Sequence, residues 1–343
     1  MGQGHQGSER ENRHVIAVAT SMRAALAATL AVATVGAAHA QSGPAAAYPA
    51  RAIRVVVPFP PGGTSDILAR QLGVRLTEGW GQQLVVENRA GAAGAIGAET
   101  AARAQPDGYT LLLTDVGSLL IAQLLTPKST FDLVRDFSPI TLISYSPHLM
   151  CVHPSVPVAD VKSLIALAKA RPDALNFASS PAGAPYMAGL MFTHRTGVRW
   201  TYITGRGGSQ SVLDVASGQA DVLLNGMLAT LPYVKNGRLK LIAVSSETRV
   251  AALPDTPTVA ETVPGFVTGS WQGLLAPAGT PPEIVAKFQG ALSQVLALAD
   301  VRDKLRVQGA DTLATTPQEA ARFLQEERER WARLIRETGY KPM

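Results

Sequence analysis

One cysteine in 343 residues, Cys151, leaves no partner for an internal disulfide, so an oxidising compartment is tolerated but not used for stapling. A chain of this length buries enough core to do without one. Aromatic residues are scarce at 6%, and the basic residues, 31 against 26 acidic, are scattered without interleaved aromatics, which argues against nucleic acid. Beyond residue 40 no segment has the roughly 20 strongly apolar residues that a membrane span needs. A nucleotide P-loop is missing, since no Lys follows Gly62-Gly63. Glycines at 91, 94 and 97 give G-x-x-G-x-x-G rather than the dinucleotide spacing. There is no G-x-S-x-G elbow, and past residue 40 only His148, His153 and His194 could serve as a base, none with an evident partner. On a strand, Cys151 and His153 point to one face and His148 to the other, so these three read as a core or crossing strand and not as a metal site. No cofactor is called for.

What is present is 46% hydrophobic residues with 31 Gly and 23 Pro, the composition of an α/β protein rich in short loops, long enough for two domains. Residues 1–40 read as a removable leader. Arg10, Arg13 and Arg23 precede the apolar run Ala24 to Ala37, and Ala38-His39-Ala40 offers a small-x-small cleavage site. Losing three arginines together with Glu9 and Glu11 takes the net charge from +5 to +4, a mild excess that suits an anionic small molecule.

The chain is organised around residues 53–66. Ile53 to Val57 is a buried-strand run, Pro58, Pro60 and Pro61 end its ladder, and Gly62-Gly63 leaves a loop bare of side chains. Thr64 or Ser65 then suits an N-cap, with Asp66 in the first helical turn. A bare loop feeding a helix start is a receptor for an anion, here a carboxylate; the alternative is an ordinary β–α turn. Further β–loop–α units follow. The third strand ends at Thr114-Asp115, on the same rim as Gly62 to Ser65; the alternative role for Asp115 is N-cap of the next helix. Two strand-like runs between Phe137 and His153 join at Ser146-Pro147, the first domain crossing. Ser179-Ser180-Pro181-Ala182-Gly183-Ala184-Pro185 repeats the logic of the first loop before a helix from Tyr186, Arg206 lies among glycines near a strand end, and another strand ends at Asn225-Gly226. Trp271 to Pro277 crosses back. Two helices close the chain, with Thr280 and Thr316 as expected N-caps and Glu326/Arg330 and Glu329/Arg333 as expected i,i+4 pairs.

The mature chain resembles the Bug family, the extracytoplasmic solute-binding components of tripartite tricarboxylate transporters. The likeness is carried by Tyr48-Pro49, Val57 to Asp66, Val86 to Gly94, Pro106 to Leu112, Leu253 to Glu261 and Trp271-Gln272-Gly273. It implies a two-domain α/β periplasmic binding protein of the Venus-flytrap, type II-like form, with two interdomain crossings. Domain 1 would comprise 48–146 and 271–343, domain 2 would comprise 147–270, and the hinges would lie near Ser146 and Ser270. The implied ligand is a small organic carboxylate held by Phe59, Gly62, Gly63, Thr64, Ser65, Asp66, Thr114 and Asp115 from one side. Ser179, Ser180, Ala182, Gly183, Ala184, Arg206 and Asn225 would hold it from the other. The implied protein is a periplasmic monomer that is not an enzyme and serves membrane permease subunits or a sensor; the alternative is an exported hydrolase using a cleft serine. The second loop departs from the family's Ser-Ser-Gly-x-Gly-Ser-x-x-His, reading Ser179 to Met187 with prolines at 181 and 185. The usual Pro-Tyr-Lys-Gly reads Thr204-Gly205-Arg206-Gly207. The departure implies that Tyr186, Met187 and Arg206 reshape that half of the cleft.

Overall fold

The run Ile53–Val57 forms strand β1, buried almost throughout between two parallel neighbours, β2 (Leu84–Asn88) and β3 (Thr110–Asp115). A strand covered on both faces has no wet side, which is why its sequence shows no polar alternation. The computed structural model describes residues 48–126, 129–180 and 182–340; the expected leader and Pro181 lie outside them. Helices α1 (Thr64–Trp80), α2 (Ala95–Ala102) and α3 (Val116–Leu125) follow the three strands in turn. The glycine at 97 serves close packing: a Cβ there would lie 2.7 Å from both Arg89 O and Pro58 Cα.

Strand β4 runs unbroken over Phe137–Val152, where the sequence suggested two runs joined at Ser146-Pro147. The proline is tolerated because the strand changes partners there. Phe137 to Pro147 pair antiparallel with β9 (Gly269–Pro277), while His148 to Val152 pair with β7 (Val222–Gly226) and β8 (Lys240–Val244). The sheet order is β2-β1-β3-β9-β4-β7-β5-β6, with β8 and the short β10 (Asp311–Thr312) also on β4. Two parallel sets, β2-β1-β3 and β7-β5-β6, thus flank the antiparallel pair β4/β9. This is a two-domain α/β fold in which β4 and β9 make the two crossings, and the expected hinge residues Ser146 and Ser270 are direct partners.

The second set is built from α4 (Val161–Ala170), β5 (Asn176–Ser179), α5 (Ala184–Thr196), β6 (Thr201–Thr204), α6 (Gly208–Ala216) and α7 (Met227–Lys235). Alternation along β4 sorts its cores: Met150 and Val152 pack with Leu164 and Phe192, whereas Leu149 and Cys151 pack with Val212 and Leu231. The chain then returns through α8 (Pro282–Ala297), α9 (Ala299–Val307) and α10 (Pro317–Thr338). Helix α8 packs on α1, and α10 on β4 and α3, with Leu324 and Trp331 buried in the core of the first set. Thr316 caps α10 in a reciprocal box with Glu319, as expected. Thr280 does not cap α8. Pro281 occupies the cap position, and the Thr280 hydroxyl donates to Pro277 O instead. Arg330 pairs with Glu327, three residues back, through two bonds of 2.7 and 2.8 Å, and not with Glu326. Among the described residues no single helix is long and apolar enough to cross a membrane.

Candidate functional site

The carboxyl ends of β1, β3, β5 and β7 converge on one cleft, as open α/β sheets place their ligands. Four helices, α1, α5, α6 and α7, begin there on glycines, Gly63, Gly183, Gly207 and Gly226, which have no side chain with which to cap them. The positive ends of the four helix dipoles are therefore aimed at a common space, with first-turn N–H groups left unclaimed by side chains at α1, α6 and α7; at α5 the Ala184 N–H is taken by Ser118 Oγ and Pro185 has none. Away from the cleft, α4 and α10 carry full side-chain capping boxes.

The first loop is held from below. Thr64 and Ser65, expected as caps, lie inside the helix after Gly63, and the Asp66 carboxylate turns back to accept the Gly62 N–H at 2.9 Å and the Arg70 Nε–H at 2.9 Å. Burial pushes the Asp66 carboxyl up, but the Arg70 guanidinium, the Gly62 N–H and Asn88 outweigh it and hold it below the usual range. Gly62 needs its missing side chain, since its φ is +79°. Asn88 Nδ2 donates to Phe59 O at 3.1 Å and fixes the loop's other limb.

Beneath the loops lies a directed chain of hydrogen bonds. Ser65 Oγ donates to Gln272 Oε1 at 2.7 Å, Gln272 Nε2 to Ser270 Oγ at 2.7 Å, and Ser270 Oγ to Asp115 Oδ2. Asp115 also caps α3 by accepting the Ser118 N–H at 2.7 Å, so both sequence readings of it hold together: it is a cap and it lines the cleft. Burial drives its carboxyl above the ordinary value, against the hydrogen bonds from Ser270 and Ser118. Among the described residues no cation pairs with it.

The two sides touch over this floor. Ala184 N–H donates to Ser118 Oγ at 3.1 Å. A Cβ on Gly207 would lie 2.7 Å from Pro60 Cδ, and one on Gly226 would lie 2.9 Å from Thr64 Oγ1. What remains is an inner cavity of about 60 Å³ and an outer one of about 580 Å³. Phe59, Gly63, Thr64, Ser65, Asp115, Ser180 and Asn225 line the inner one, and Gly183 and the exposed Arg206 line the outer one. Gly62 and Arg206 share a third cavity at the rim.

The remaining expected residues sit behind these. Thr114 and Ser179 are buried with their hydroxyls on neighbouring carbonyls, those of Asp115 and Ser180. Asp66 braces the loop, Ala184 is buried, and Ala182 packs against the first core. Tyr186 and Met187 do not reshape the cleft. Helix α5 starts at Ala184, two residues before the expected start, so both turn inward, Met187 into the first core and Tyr186 onto Tyr202 and Tyr340. Ser118, His148, Gly208, Ser209, Gly226, Ser270 and Gln272 also line the inner cavity. Of these, Gln272 is visible in the Trp-Gln-Gly motif, Gly226 at the strand end Asn225-Gly226, Gly208 and Ser209 in a glycine-rich helix start, and Ser270 as an expected hinge; nothing local marks Ser118 or His148 as lining a site.

Residues 68–340 match the Tripartite tricarboxylate transporter family receptor, TctC. Protein BugT of Bordetella pertussis is 35% identical over 297 residues, 86% of this chain and 91% of that protein. An R. palustris structure, Rpa4515 with adipate, is 33% identical with a TM-score of 0.84, covering 86% of this chain and all of the other. MatC from Rhodopseudomonas palustris, with bound malate, is 32% identical with a TM-score of 0.80, covering 84% of this chain and all of the other. With its uncapped helix starts gathered on one cleft and this likeness over most of its length, the chain belongs to the tripartite tricarboxylate transporter receptor family.

Proposed function

We propose that this protein is an extracytoplasmic receptor, not an enzyme, that closes on a small organic carboxylate and delivers it to the membrane subunits of a tripartite tricarboxylate-type transporter. The observation that carries this is the set of four glycine-started helices facing one cleft, three of them, α1, α6 and α7, with no side chain on their first-turn N–H groups, for which a carboxylate is the missing cap. The adipate and malate held by its relatives are carboxylates of the size that the outer cavity admits. The lobes are 48–146 with 271–343, and 147–270, flexing where Ser146 pairs with Ser270. The leader at 1–40 exports the chain to the periplasm, where it acts as a monomer.

The holding groups are the main-chain N–H groups of Gly63, Thr64, Ser65 and Gly183, the hydroxyls of Thr64 and Ser180, and Asn225, with Arg206 at the mouth. Three charge-assisted bonds at about 1.5–3 kcal/mol each, with two helix starts at about 0.3–1, contribute on the order of 5–11 kcal/mol before the cost of closure. A micromolar complex needs about 8 kcal/mol, so no metal or covalent bond is required. Isothermal titration with a panel of mono- and dicarboxylates, adipate and malate among them, tests the reading. Saturable heat and a raised melting temperature are expected for at least one. Absence of both across the panel refutes it.

A further inference from the structure

The two cavities of the cleft adjoin, since Phe59, Ser118 and Ser180 line both, yet they differ greatly in size, about 60 against about 580 Å³. The starts of α1, α6 and α7 surround the inner one, which has room for a carboxylate group and a short stem. The outer one falls within the range, roughly 300–1,000 Å³, of pockets that enclose drug-sized molecules. A short acid anchored in the inner cavity leaves most of the outer one to water.

The wall of the outer cavity selects what can replace that water. One side is Phe59, Pro60, Pro61, Ala90, Ala92 and Ala93, and the other is built on Gly183, Gly205 and Gly207. The sides meet where Pro60 approaches Gly207. Among the described residues the polar side chains that line this cavity are those of Asn88, Ser118, Ser180 and Arg206. Ser118 and Ser180 belong to the neck, and Ser118 Oγ already accepts the Ala184 N–H. Asn88 uses both ends of its amide, donating to Phe59 O at 3.1 Å and accepting from Arg70 at 3.0 Å. Arg206 stands exposed at the mouth. On the glycine side the Gly205 N–H is spent on Ser179 O, and the carbonyls of Gly183 and Gly207 on the Met187 and Ser211 N–H groups. Hydroxyls on the body of a ligand would therefore give up water for few partners, whereas an apolar ring gives up none and covers carbon. Phe59 offers such a ring a fixed platform. Its carbonyl is tied by Asn88, and its own ring rests against Gly94, where an added Cβ would lie 3.2 Å from Cε1.

We infer that the acid this receptor takes has an apolar, ring-sized body: its carboxylate enters the inner cavity, and the body fills the outer one beside Phe59. This rests on the receptor reading above and adds to it the class of acid. Titration calorimetry on the natural chain measures it with two matched pairs. For size, 3-phenylpropionate should bind at least about tenfold tighter than propionate. For polarity, cyclohexanecarboxylate should bind at least about tenfold tighter than quinate, the same ring bearing hydroxyls. In Phe59→Leu the first ratio should fall by about two- to tenfold; the measurements on the natural chain do not depend on that variant folding. With alanine methyls labelled in carbon-13, 3-phenylpropionate should give ring-current shifts at Ala90, Ala92 or Ala93 that propionate does not. The inference is overturned if carboxylates bind but neither ring-bearing acid does, or if either pair shows no preference. It is equally overturned if the first ratio survives in a folded Phe59→Leu, or if none of the three methyls shifts. Each of those outcomes leaves the receptor reading standing, whereas a chain that binds no carboxylate removes both.

Discussion

A methyl group on Gly207 should prevent the cleft from closing while leaving the open protein untouched. Gly207 has φ 165°, extended backbone that alanine adopts freely, so the substitution introduces no local strain. Its Cβ would stand 2.7 Å from Pro60 Cδ and 3.0 Å from Cγ, roughly 0.5–1.3 Å inside the 3.5–4.0 Å at which carbons rest. The Pro60 ring is not the end of a flexible side chain and cannot swing aside, so the opposed loops must part by about 1 Å. A hydrogen bond of ordinary length stretched that far is no longer one. Losing a single charge-assisted bond to the ligand costs about 1.5–3 kcal/mol, so Gly207→Ala should weaken carboxylate binding by about 10- to 150-fold. Opened, the lobes leave the methyl free, and the ligand-free melting temperature should move by less than about 2 °C. Titration calorimetry against the tightest acid of the panel, with thermal melts on the same samples, makes the comparison. Affinity within threefold of the natural chain would refute the view that the approach of Pro60 to Gly207 belongs to the bound state.

The exposed Arg206 at the mouth acts at a distance: Arg206→Ala should slow association and flatten its salt dependence while weakening affinity only about two- to fivefold, as stopped-flow measurements at two ionic strengths would show. Because burial raises the Asp115 carboxyl, the folded chain holds that proton more tightly than the unfolded chain. The resulting stabilisation is complete below the ordinary carboxyl value near ~3.9 and is lost as pH rises through the raised folded value. Asp115→Asn removes this dependence, so its melting temperature relative to the natural chain should climb as pH rises above about 4; an offset independent of pH contradicts this. Thr316→Ala dissolves the capping box of α10 and should cost about 1 kcal/mol, lowering the melting temperature by about 2–4 °C with carboxylate affinity unchanged.

The loops were legible because β–α grammar is local: branched residues, then prolines, then Gly62-Gly63 announce strand, stop and helix start within a dozen positions. Helix starts were less so. Pro185 reads as a breaker, yet it sits comfortably in the first turn of α5, where no N–H is needed, and this moved the expected start from Ala184 to Tyr186 and with it two side chains from core to cleft. The connections within the floor were not legible. Ser65 and Gln272 are 207 positions apart, and Asp115 and Ser270 are 155 apart, and no periodicity joins such residues. His148 was read by alternation as a residue of a crossing strand, which it is.

Strand β4 belongs to both lobes at once, hydrogen-bonded to β9 along one stretch and to β7 and β8 along the next. The protein is therefore not modular in the manner of beads on a string. Parting the lobes would mean breaking the chain twice, at Pro147 and again where β9 begins. The ribbon that joins the halves is one continuous strand shared by both.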